Sequence, residues 1–188
     1  MIGQFNVAEF DFVIEELDVE TVGNVEHWRI TSHQTKKIKD IFTEQYLPYI
    51  KLKIFNDHPL LWPYKSKELE CNLSGFPKGL SEFMGDLALE YEETSGNWLP
   101  LSSDFFSMQM SYFENGRISI GIVEQLEPGI RSICEKHGIR FEVENKIEQD
   151  YSYSNLKVLI FGNSDVSPYN FNLGQPYIIA EEFFATKK

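Results

Sequence analysis

The stretch Glu68–Gly96, ELECNLSGFPKGLSEFMGDLALEYEETSG, changes its hydrophobic period half-way along. From Glu68 to Leu73 every second residue is apolar, with Leu69, Cys71 and Leu73 on one side, which is the alternation of a strand buried on one face. Beyond Pro77 the apolar residues Leu80, Phe83, Met84, Leu87, Ala88 and Tyr91 recur at helical spacing. Pro77 suits the first turn of that helix and Gly96 its stop. The far side carries Glu82, Asp86, Glu90 and Glu93, which predicts an acidic, solvated helix face. A strand and a helix in succession, each apolar on one side only, call for a core of mixed sheet and helix.

Working upstream, Phe10, Phe12 and Ile14 alternate with Asp11, Val13 and Glu15 as in a half-buried strand, and Trp28 with Ile30 suggests a second, short one. Thr31 and Gln34 form a capping-box signature, and Ile38, Ile41, Phe42, Tyr46 and Leu47 keep helical spacing until Pro48, so a helix is expected there. Lys51 to Phe55 alternates as a strand, and Pro59 and Pro63 bracket an aromatic loop.

Downstream, Phe106, Met108, Met110 and Tyr112 share one side of a strand, and Ile118, Ile120 and Ile122 share one side of the next. A three-residue loop, Glu114-Asn115-Gly116, keeps both rows on one face and predicts positive φ at Gly116. A third helix runs from Leu126, or from Pro128 in its regular part, to His137, with Gly138 as its stop. Ile139 to Glu144, Leu156 to Phe161 and Tyr177 to Phe184 read as strands. Strand pairs with interspersed helices, without strict alternation, give the class α+β. The expectation is a largely antiparallel sheet of about eight strands with about three helices packed mainly on one face. With 188 residues and no repeat, low-complexity tract or long linker, a single domain covering 1–188 is expected.

Seventeen Lys plus Arg against twenty-nine Asp plus Glu leave a net charge of −12. That field opposes nucleic acid and acidic lipid surfaces, so neither is expected as a partner. Residues 1–28 hold seven acids and no base, whereas 29–67 carry a net +5 and 68–104 a net −7. Two cysteines, Cys71 and Cys134, are too few for a disulfide framework and too far apart in sequence for a zinc or redox pair. No secretory pattern opens the chain and no apolar run reaches the ~18 residues of a membrane span, which makes the cytoplasm the expected address.

Phosphate-binding glycine loops, H-E-x-x-H, C-x-x-C, the EF-hand ladder and the G-x-S-x-G elbow are all absent, so no cofactor, metal or catalytic residue is assigned. His27, His33, His58 and His137 are scattered without ligand spacing. Asp57-His58 is an adjacent acid and imidazole, yet neighbours on an extended segment point opposite ways. Ser74 and Ser81 lie near a helix start without a base to activate them. Glu144-Asn145-Lys146 is the best enzyme fragment: an acid and a lysine two apart share a strand face, as in PD-(D/E)xK nucleases, and Asp104 is the nearest candidate for the further acid such a metal site needs.

Aromatic placement is more distinctive. His58-Pro59-Leu60-Leu61-Trp62-Pro63-Tyr64 puts Trp62 and Tyr64 on a proline-stiffened loop, and Gly96-Asn97-Trp98-Leu99-Pro100 puts Trp98 just past the acidic helix. Rigid aromatics beside charge serve as interface anchors, although a tryptophan also closes a core beneath its loop. Leu60–Tyr64, Gly75-Phe76-Pro77 and Gly96–Pro100 together resemble small acidic bacterial immunity proteins, the partners of secreted toxins. The resemblance implies a cytoplasmic protein that binds a cognate toxin domain and blocks it without catalysis. The expected partner is thus a basic protein such as a toxin domain, docked on Trp62, Tyr64, Glu82, Asp86, Glu90, Glu93 and Trp98. The alternatives are a small metal-dependent hydrolase or nuclease-like enzyme with a non-motif site, and a structural or regulatory subunit that associates with itself through exposed strand edges.

Overall fold

The computed structural model describes residues 5–15, 25–41, 51–99, 115–148, 153–162 and 174–188. Among them lie ten strands in three antiparallel sheets and three α-helices, which is the α+β class. Two compact units share the chain, one of residues 1–57, 155–166 and 175–188, the other of 58–154 and 167–174.

In the first unit, β1 (Phe5–Glu15) and β10 (Glu182–Lys187) flank β2 (Val25–Thr35). The second sheet runs in the order β3 (Lys37–Lys39), β9 (Tyr177–Ala180), β8 (Lys157–Gly162), β4 (Lys51–Phe55). Ile30, Leu159, Phe161, Ile178 and Ala180 form one core, with Ala8, Ile38 and Phe183 packed on it. Each Ile, Leu or Phe side chain of this set contributes about 1.5–3 kcal/mol when fully buried.

The two sheets share a corner. His33 faces Glu182 and Lys37 faces Ile179, so Gln34, Thr35 and Lys36 oppose only Ala180 and Glu181. The extra residue is a bulge, and Gln34 turns it at φ +53°. The Ser32 and Thr35 hydroxyls bond each other at 2.8 Å inside the bend.

Here two sequence expectations fail. The stretch Thr31–Lys39 is strand, not the start of a helix, because cross-strand pairing with β10 and β9 outweighs a local capping signal. The rest of that expected helix, 42–47, lies outside the described residues. Tyr177–Phe184 is not one strand but the parts of two, divided at Glu181, where the chain passes from one sheet to the other.

The second unit is built on β5 (Glu68–Ser74), flanked by β6 (Arg117–Val123) and β7 (Arg140–Ile147). Leu69, Cys71 and Leu73 stand opposite Ile122, Ile120 and Ile118. These share a core with Phe83 and Leu87 of α2 (Leu80–Ser95) and with Ile130 and Cys134 of α3 (Glu127–Lys136). Gly79 caps α2, so Pro77 lies ahead of the helix and not in its first turn, and Gly96 and Gly138 end α2 and the turn after α3 at φ +59° and +72°. Gly116 takes φ +63° as expected, while the strand Phe106–Tyr112 lies outside the described residues and Asn115 is helical. The expected aromatic loop is instead a 3-10 turn, Pro59–Leu61, running into the single turn α1 (Trp62–Lys65), because the buried Pro59, Leu60 and Leu61 fold into the interior.

Candidate functional site

The α2–α3 seam brings together three of the titratable side chains that the sequence singled out, Asp86, Glu90 and His137. Asp86, projecting from α2, receives two hydrogen bonds on Oδ2, each 2.7 Å long, from Lys136 Nζ and from His137 Nε2 at the end of α3. An ionised carboxylate only accepts, so the imidazole proton lies on Nε2. His137 is buried and its ring meets Phe83 edge-on at 5.4 Å. The His137 bond, then the Lys136 bond, hold the Asp86 carboxyl below the usual carboxylate range, and Asp86 in turn raises Lys136.

One turn further on, Glu90 lies against the first turn of α3. A Cβ added at Gly129 would meet Glu90 Oε1 at 1.8 Å, so the missing side chain is what lets the carboxylate approach. Thr94 Oγ1 also donates to Glu90 Oε1 at 2.6 Å. The helices run antiparallel, which sets Glu90 at the positive end of the α3 dipole and Asp86, with its Lys136 and His137 donors, at the negative one. Asp86 and Glu90 are therefore half-buried clamps on α3. The solvated face expected of all four acids is kept by Glu82 and Glu93 alone.

Donor atoms of Glu82, Asp86 and His137 lie within 4.8 Å of one another. Two carboxylates and an imidazole are a set that holds divalent cations, but the Lys136 ammonium already sits on the shared Asp86 oxygen and would have to be displaced.

The aromatic residues divide. Trp98 is only 3% exposed, and its ring meets the buried His58 imidazole edge-on at 4.7 Å. It presents no indole surface to a partner, because the turn after Gly96 folds it inward. Trp62 and Tyr64 are half-buried on α1, with Tyr64 against Tyr153 at 6.0 Å. His58 does more than its isolated position in the sequence suggests: its Nδ1 accepts the Leu60 N–H at 3.2 Å and so caps the 3-10 turn. Burial pushes this imidazole down to about 4.

Comparison with protein-family models, with curated proteins and with solved structures gives no match. The chemistry must be read from the residues alone.

The Glu144-Asn145-Lys146 fragment is broken by a bulge. Glu70 faces Asn145 and Cys71 faces Val143, so Glu144 is the extra residue and the acid and lysine lose their simple two-residue alternation. Glu144 accepts from Asn72 Nδ2 and lies 3.4 Å from Arg117, while Ser119 Oγ donates to Asn72 Oδ1 at 2.5 Å. An amide in this relay satisfies a buried polar group and supplies no base to the serine. Asp104 lies outside the described residues.

Sequence reading misses Gly129 and Lys136 on the α3 side of the seam, and names His137 without its Asp86 partner. One signal was present, since a glycine inside a helix lowers its stability and often marks a close approach.

Proposed function

We propose that this chain is a non-catalytic, acidic protein-binding domain of the immunity type, which captures a basic protein such as a cognate toxin domain in the cytoplasm. The observation that carries the reading is the solvent side of α2. Glu82, Leu89, Glu92 and Glu93 are exposed there, Leu89 by 52%, and α2 contains no Lys or Arg. Glu92 and Glu93 occupy the last turn, where the negative end of the helix dipole works against carboxylates. A helix that keeps acids against its own dipole gives up stability for something other than folding.

An exposed leucine among carboxylates suits a partner that offers an apolar anchor within a basic surface. Opposite potentials speed the encounter, and the leucine contact lengthens residence. The half-buried Trp62 and Tyr64 belong to the same expectation as a second contact, whereas Trp98 supports the fold.

Affinity capture from the native cell, with the wild-type chain and the E92K/E93K variant side by side, tests the reading. A basic protein held by the first and lost by the second is expected, with the Tm of the variant no lower than that of the wild type. Equal capture by both, or no basic protein with either, would overturn it.

A further inference from the structure

We infer that two copies of this chain associate edge to edge through β10, joining their three-stranded sheets into one of six strands. The inference is independent of the α2 surface. Among the described residues β10 is an edge of its sheet, and Glu182, Phe184, Ala185, Thr186 and Lys187 are all exposed. Long apolar edges are normally blocked by proline, a central lysine or a bulge, and Phe183-Phe184-Ala185-Thr186 has none of these.

The hydrogen-bond phase of β10 is fixed by its end. Lys188 N–H donates to the His27 carbonyl at 2.9 Å, in the register that sets Glu182 opposite His33. Alternation then turns the amides and carbonyls of Phe184 and Thr186 toward β2, and those of Phe183 and Ala185 outward. A two-fold antiparallel pairing centred on Phe184 places Phe183 of each copy opposite Ala185 of the other, so the outward groups satisfy one another.

Side chains fit the same register. Phe183 packs on the core while Phe184, 50% exposed, lies on the outer face beside His33 at 5.1 Å. A two-fold axis normal to the sheet keeps inner face with inner face. Phe184 then meets its counterpart in the non-hydrogen-bonded position, where Cα atoms are about 4.5 Å apart and cross-strand aromatic pairs are closest. The same register brings Lys187 beside Glu181 of the second copy, which lies just ahead of β10 with its N–H on the His33 carbonyl at 3.1 Å, so this contact is between side chains only and by symmetry occurs twice.

The test is sedimentation equilibrium of the full chain from micromolar to millimolar concentration. A reversible doubling of mass is expected. A185P removes an amide that is turned away from β2, the one strand beside β10 among the described residues, so it should keep the Tm within a few degrees and abolish the doubling. Because Lys187 also bonds Glu26 in its own chain, E181K is the first charge variant. It should weaken association by roughly tenfold, and E181K/K187E should restore it. A wild-type chain that stays monomeric throughout overturns the inference, as does a dimer indifferent to A185P. Should A185P fail to fold, the charge series decides: unchanged association in E181K overturns it.

Discussion

The His137 imidazole lies 2.7 Å from the Asp86 carboxylate although 51 residues separate them along the chain. With Lys136 on the same oxygen, this contact ties the end of α3 to α2 above the core that both helices share. The clasp explains why an acid placed by its spacing on a solvent face is instead half-buried.

Its first consequence is a dependence on acid. Asp86 is lowered in the folded chain, so its contribution is complete above the unfolded carboxyl range, near 4, and disappears as pH falls through the lower folded value. D86N should therefore melt below wild type near neutral pH, and the two Tm curves should converge as pH falls below the ordinary carboxyl range. A gap that stays constant on acidification would show that the charge is not what holds the seam.

Gly129 and Glu90 should be energetically coupled. G129A gains roughly 0.5–1 kcal/mol of helix propensity but pushes the flexible Glu90 carboxylate away from the α3 terminus. In wild type these effects offset each other, and G129A should be close to neutral. In an E90A background the full propensity gain should appear. Denaturant titration of the four variants measures the coupling, and strict additivity would contradict the packing of Glu90 on Gly129.

His58 gives the fold a second titration. Its folded value, about 4, lies below the ordinary 6.5, so the unfolded chain takes up the proton first. Stability should be level above about pH 6.5 and fall by about 3 kcal/mol toward pH 4. H58N keeps an acceptor for the Leu60 N–H and removes the titrating ring. Urea melts should show lower stability at neutral pH and the loss of this slope. A slope retained in H58N would place the titration elsewhere.

Burial pushes the Cys71 thiol to about 11 and Cys134 to about 12. Both are free and interior, so neither forms thiolate near neutral pH. Neither should react with an aromatic disulfide reagent until the second unit unfolds, after which two equivalents should be released. Rapid labelling of the native chain would contradict this core.

Much of the fold was legible where the signal is local. Leu69, Cys71 and Leu73 alternate and are all buried, and Gly96, Gly116 and Gly138 take the positive φ that their places as stops and turns require. Thr31–Gln34 misled because a capping box is a local preference, whereas those residues are bonded to a strand some 150 positions away. The site was legible only in part: acids at helical spacing marked one face of α2, but no spacing within α2 tells that Gly129 and His137 lie beneath Asp86 and Glu90.

Period and turn chemistry, then, determined this protein's class, its strand and helix stripes and its acid-rich helix, because they depend on residues within a turn or two of one another. Tertiary structure alone decided which acids meet solvent, that Trp98 is interior, and that one apparent C-terminal strand serves two sheets. Each of those depends on which apolar face finds another across a long loop, and the free energy of that choice is spread over the whole core.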